Sequence, residues 1–139
     1  MIPQEKREAV KGLLEYMPFL VNTKYEDIVN WKTESEGENF VPVSYPEYSD
    51  EFLDFIGYTL ANNLLDPYYM NTITQAAGGE VDFAEFVEAL DAAKYEVAIA
   101  CLTYLIARES YDRGALAAAF KNRWLYMILY RIKQIYDRG

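Results

Sequence analysis

The chain contains no histidine and a single cysteine, Cys101. Without histidine there is no proton shuttle that titrates near neutral pH. The usual base for a serine or cysteine nucleophile and the commonest zinc ligand are missing too. One cysteine forms no internal disulfide and gives no sign of an oxidising compartment. Long apolar runs are also missing: the longest nearly unbroken one is Val97–Ala107, too short for a bilayer that needs about 20 residues. The start, Met1 to Glu8, is polar and mixed in charge. The apolar stretch after it is interrupted by Glu15 and Pro18, unlike a signal peptide. By elimination the expected location is the cytoplasm, with no membrane partner. No glycine-rich phosphate loop, internal repeat or low-complexity tract stands out.

What is present is globular. Hydrophobic residues make up 52% of 139 and charged residues 25%, which fits one domain over residues 1–139. A first helix is predicted from Pro3 to Met17, ended by Pro18. Residues 23–46 read as an irregular arm. Within it Thr33 to Asn39 is a polar loop and Phe40–Val43 is extended, able to pair with Ile28–Lys32 in a short β-hairpin. Ser49 caps a helix bearing Phe52, Phe55, Ile56 and Leu60. Asp66-Pro67 breaks it, and a short helix then runs to Ala77, stopped by Gly78-Gly79. Asp82 caps the segment carrying Phe83, Phe86, Val87 and Leu90. Asp91 is expected to cap the next helix, whose run Val97–Ala107 is apolar on all sides and so forms the buried centre. Gly114 breaks the chain, and a last helix is predicted from Ala115 to Tyr136. The fold class is an all-α bundle of about six helices with an irregular arm.

Charge is segregated along the chain. Residues 26–91 hold 15 Asp and Glu against Lys32 alone, whereas residues 115–139 hold Lys121, Arg123, Arg131, Lys133 and Arg138 against Asp137. Either the last helix lies beside acidic elements of its own domain, or a partner uses one of the two faces. Nucleic-acid binding through the last helix would need Lys121, Arg123, Arg131 and Lys133 exposed on one face, and the net charge of -9 opposes it.

Glu47, Asp50, Glu51 and Asp54 could hold a divalent cation, but acidic residues at a helix start are also what the helix dipole favours. Glu85 and Glu88 lack the histidines of a di-iron pattern. Neither set is assigned a metal, and no cofactor is expected. Cys101 sits among apolar residues without a neighbouring cation and reads as an inert hydrophobe. The 13 tyrosines, among them Tyr45, Tyr48, Tyr68 and Tyr69, suit core rims or interfaces.

An apolar helix ending in Ala107-Arg108-Glu109-Ser110-Tyr111-Asp112-Arg113-Gly114, followed by a helix carrying Ile128-Leu129-Tyr130-Arg131-Ile132-Lys133, resembles the small bacterial family called domain of unknown function 6508. Its signature is R-G-E-R-F-x-x-G. Leu14-Glu15-Tyr16-Met17-Pro18-Phe19 and Val41-Pro42-Val43-Ser44-Tyr45 are similar to its early segments. Aligned on Gly114, the chain keeps Glu109, an aromatic at Tyr111, and the glycine; Ala107 and Ser110 stand where the signature has arginines. The resemblance implies a helical fold and a bacterial or phage origin, and no activity.

Arg108 and Glu109 close the most apolar helix, so a desolvated clasp is expected there, with Glu109 meeting a cation of the last helix and Arg108 an acid of residues 82–91. The leading functional reading is a non-enzymatic interaction or regulatory module whose partner is a protein, a second copy of the chain among the candidates. The rival is a carboxylate-based enzyme using Glu109 with Arg108 and Tyr111.

Overall fold

The computed structural model describes residues 1–36 and 41–139. After a 3₁₀ turn at Gln4–Lys6 come α1 (Arg7–Leu14), α2 (Met17–Asn22) and α3 (Tyr25–Ile28). Strands β1 (Val29–Glu36) and β2 (Val41–Tyr48) form an antiparallel hairpin. The rest is α4 (Asp50–Ala61), α5 (Tyr69–Ala77), α6 (Phe83–Glu88), a 3₁₀ turn at Leu90–Ala92, α7 (Tyr95–Glu109), α8 (Ala115–Lys121) and α9 (Trp124–Arg138). The helical bundle with a small hairpin expected from the sequence is what forms.

The local signals account for most boundaries. Ser49 Oγ accepts from Phe52 N, and Asp82 Oδ1 accepts from Ala84 N and Glu85 N, so both residues cap as expected. Gly78 closes α5 in the left-handed conformation. Pro18 lies in the first turn of α2 rather than only ending α1, where its missing N–H costs nothing. Three expectations are corrected. Thr33 to Glu36 is strand, not loop, because the hairpin register runs from Val29 opposite Tyr48 to Glu36 opposite Val41. Gly37 to Phe40, including the rest of the expected loop and one end of the extended segment, lie outside the described residues. Asp91 belongs to the 3₁₀ turn, and α7 starts later, behind Lys94, with no side-chain cap. The last helix is two helices, separated by Arg123 at φ 65°; a non-glycine residue in that region carries no sequence mark.

The centre is α7. Tyr95, Ala98, Ile99, Ala100, Cys101, Leu102, Thr103 and Leu105 are buried on it, so apolar side chains pack around most of its circumference, with Glu96 exposed near its start. Against it pack α5, α8 and α9. The stripe Leu125, Ile128, Leu129 and Ile132 of α9 is fully enclosed. Thr103 turns its hydroxyl to two uses, donating to Ile99 O and accepting from Asp66 N, and so anchors the α4–α5 loop on the core.

Candidate functional site

Helix α8 starts at a residue that cannot cap it. Its N-cap position is Gly114, at φ 96°, which has no side-chain oxygen for the first backbone N–H groups. Glu109, the last residue of α7, supplies the acceptor instead. Its Oε2 accepts from Gly114 N at 2.9 Å and its Oε1 from Leu116 N at 2.9 Å. Tyr48, the last residue of β2, completes the arrangement. Its hydroxyl donates to Glu109 Oε1 at 2.7 Å and accepts from Ala117 N at 3.2 Å. A carboxylate at a helix N-terminus is favoured by both the dipole and charge-assisted hydrogen bonds. Burial and then the bond to Glu109 push the Tyr48 phenol well above its usual value, because an anion there would be desolvated and would face the carboxylate.

The hairpin closes the same corner from above. Trp31 of β1, tied by its Nε1 to Tyr25 Oη at 3.0 Å, lies over Gly114 so closely that a Cβ there would collide with the indole ring. Glycine at 114 thus meets two independent demands, a positive φ and the close approach of Trp31.

The three residues singled out in the sequence part company. Glu109 is half-buried in the clasp. Arg108 is 41% exposed along its side chain and binds Asp112 through Nε at 3.0 Å and Tyr104 Oη through Nη1 at 2.9 Å. The Asp112 hydrogen bond holds the guanidinium above its usual value. Tyr111 is 70% exposed, with its ring centroid 6.0 Å from Arg108 Cζ. Arg108 and Tyr111 are brought together; Glu109 faces away from them, as neighbouring helical positions do. The expected partners are therefore corrected: Glu109 meets a phenol and backbone amides rather than a cation of the last helix. Arg108 meets an acid one turn ahead rather than one from residues 82–91. Beside Arg108 is a cavity of about 270 Å³ walled by Phe83, Tyr104 and Trp124, with Asp82 and Asp112 at its edge. Phe83 stacks on Tyr104 at 4.1 Å.

A model of the family of unknown function DUF6508 matches residues 5–138. The chain belongs to that family. No curated protein and no solved structure matches it. In this DUF6508 member the glutamate and glycine of the signature are the two ends of one hydrogen bond, Gly114 N to Glu109 Oε2, and the signature spans the turn from α7 to α8.

The other candidates take ordinary positions. Glu47, Asp50, Glu51 and Asp54 are exposed, as are Glu85 and Glu88; no group of three or more metal-ligating side chains comes together among the described residues. Cys101 is completely enclosed, and burial pushes its thiol up to about 12. Arg131 is buried, and Lys133 pairs with Asp137 at 2.6 Å. The four-cation face that nucleic acid would require is not assembled. Tyr48, central to the clasp, was not a site candidate in the sequence. It stands 61 residues from Glu109, and no local pattern links them.

Proposed function

We propose that this protein is a non-enzymatic interaction module that associates with protein, first of all with further copies of itself, through complementary charged surfaces. The observation that carries the reading is the absence of internal neutralisation. Among the described residues the ion pairs are Arg108–Asp112, between the end of α7 and the turn after it, and Lys133–Asp137 within α9, each four positions apart. Among the described residues no cation of α8 or α9 forms an ion pair with an acid of residues 26–91. Lys121 and Arg123 instead sit 5.5 Å over the rings of Tyr25 and Tyr126, exposed and, among the described residues, in no ion pair. On the acidic side, α4 carries Leu53 and Leu60 at 51% and 60% exposure, with Asp50 and Asp54 alongside. An apolar stripe edged by acids suits a partner that is apolar and basic. Two α4 faces would oppose like charges, so the contact between copies is heterologous, the acidic face of one against the basic α8–α9 corner of the next.

The enzyme reading loses its central group, because protein donors already occupy both oxygens of Glu109. A bacterial cytoplasmic setting fits a lone enclosed thiol and the family.

Sedimentation velocity at about 50 mM and about 500 mM salt tests the proposal, since screening shortens sharply over that range. Concentration-dependent association is expected at low salt, and loss of it at high salt and in a Lys121→Glu/Arg123→Glu variant. A monomer at low salt and high protein concentration overturns it.

A further inference from the structure

The two edges of the hairpin differ. Ser49 N donates to Ile28 O at 2.9 Å and extends the register in which Val29 lies opposite Tyr48. Hydrogen-bonded pairs alternate from there, at Asn30–Glu47, Lys32–Tyr45 and Glu34–Val43. The positions between them are Trp31, Thr33 and Ser35 on β1, opposite Pro46, Ser44 and Pro42 on β2. Their main-chain groups turn away from the partner strand. Both prolines fall in this second set, as residues without an N–H must.

The outer edge of β2 therefore lacks its donor at alternate positions, Pro46 and Pro42, which is one way natural sheets close an edge. The outer edge of β1 has no proline and keeps an N–H and a C=O at each of Trp31, Thr33 and Ser35. Val29 marks its inner end, because its N–H is already given to Tyr25 O. Among the described residues no third strand pairs with β1, and no main-chain hydrogen bond from outside the hairpin reaches Trp31 or Thr33. Asn30, Trp31 and Thr33 are exposed.

Charge selects the strand that fits. The sequence sets Glu34 and Glu36 against Lys32 on β1, places Glu26 and Asp27 just before it, and adds Glu47 on β2. Opposite charges across a ladder stabilise it and like charges destabilise it, so a basic strand is favoured there. The basic stretch of this chain is helical, in α8 and α9, so a second copy does not supply that strand.

We propose that the outer edge of β1 is a docking site for an extended, proline-free, basic segment of a partner protein, which adds to the hairpin as a third strand. The proposal deepens the interaction-module reading and rests on it only for the partner being a protein. Main-chain hydrogen bonds through Trp31, Thr33 and Ser35 hold the segment, and its cations give the selectivity.

Hydrogen exchange of the full chain, followed by NMR with and without an alternating valine–lysine octapeptide, tests the site. Saturable binding is expected, with the Trp31 and Thr33 amides slowed about ten-fold by the peptide and the Ser44 amide unchanged. Two consecutive N-methyl groups at the peptide centre remove a donor from each of its edges at the same charge, and are expected to weaken binding about ten-fold. Thr33→Pro removes an outward N–H that the hairpin does not use, as Pro42 and Pro46 already do on β2. It is expected to weaken the peptide about ten-fold with the peptide-free melting temperature little changed. Ser44→Pro, on the other edge, is expected to leave the affinity unchanged. No saturable binding, equal affinity for the N-methylated peptide, slowing at Ser44 in place of Trp31 and Thr33, or unchanged affinity in Thr33→Pro overturns the docking edge. The first three hold whether or not Thr33→Pro folds. The charge-driven association of copies is read separately, by sedimentation and at Lys121 and Arg123, so neither failure implies the other.

Discussion

Tyr48 Oη donates to Glu109 Oε1 at 2.7 Å while accepting from Ala117 N, so one phenol joins the end of the hairpin to the end of α7 and the start of α8. The carboxylate it meets is capping α8 in place of the glycine that cannot. The clasp is thus a polar joint between three elements, where the sequence suggested a charge pair between helices.

Glu109→Ala is expected to cost on the order of 3 kcal/mol, because it strands Gly114 N, Leu116 N and the Tyr48 hydroxyl at once, and partly buried donors to a charged group are each significant. Tyr48→Phe, which strands Ala117 N but leaves the carboxylate its backbone donors, is expected to cost about 1 kcal/mol. Arg108→Met and Asp50→Asn act at exposed positions and are expected to stay within about 1 kcal/mol of wild type. Urea melts of the four variants provide the check. Arg108→Met as damaging as Glu109→Ala would return weight to a buried Arg108.

Gly114→Ala is expected to destabilise by more than the roughly 1–2 kcal/mol of a left-handed alanine, since the new methyl also meets the Trp31 ring. Adding Trp31→Ala is expected to recover the collision and not the backbone strain, so the double variant falls between Gly114→Ala and wild type once the Trp31→Ala effect is subtracted. A cycle with no coupling would show that Trp31 does not constrain the turn.

Leu102 and Leu105 are enclosed on α7, and truncation of either to alanine is expected to cost about 2–5 kcal/mol, the range for cavities that relax incompletely. Denaturant melts measure it; losses under about 1 kcal/mol in both would remove α7 from the centre.

Cys101 is expected to resist thiol reagents at neutral pH until the protein is unfolded, as its sulfur is enclosed and uncharged. The same burial sets a pH dependence. Between the ordinary thiol value of 9.0 and the folded value of about 12, the unfolded chain releases this proton and the folded chain keeps it. The unfolded state then binds fewer protons, so stability falls as pH rises through that window. Burial, with Glu96 adding, takes Tyr95 from 10.0 to about 12 in the same sense. Melting temperatures are expected to drop from about pH 8 to about pH 10.5, and less steeply in Cys101→Ala. A flat profile in the wild type contradicts the shifts.

Much of this fold is local chemistry and could be read directly. Ser49 and Asp82 cap helices three residues or fewer away, Gly78 ends one, and Val97–Ala107 announces the centre by having no polar face. Each of those signals acts within a turn or two of helix, where sequence distance and spatial distance are the same thing. The tertiary structure decided the rest. It placed Tyr48 on Glu109 across 61 positions, turned Arg108 outward to Asp112, folded Arg123 into a left-handed break, and buried Arg131 against Ala93 O. The physical reason is plainest for Tyr48 and Arg131. A side chain's hydrogen-bond partner and its exposure depend on which elements pack against it, and segments distant along the chain supply those elements.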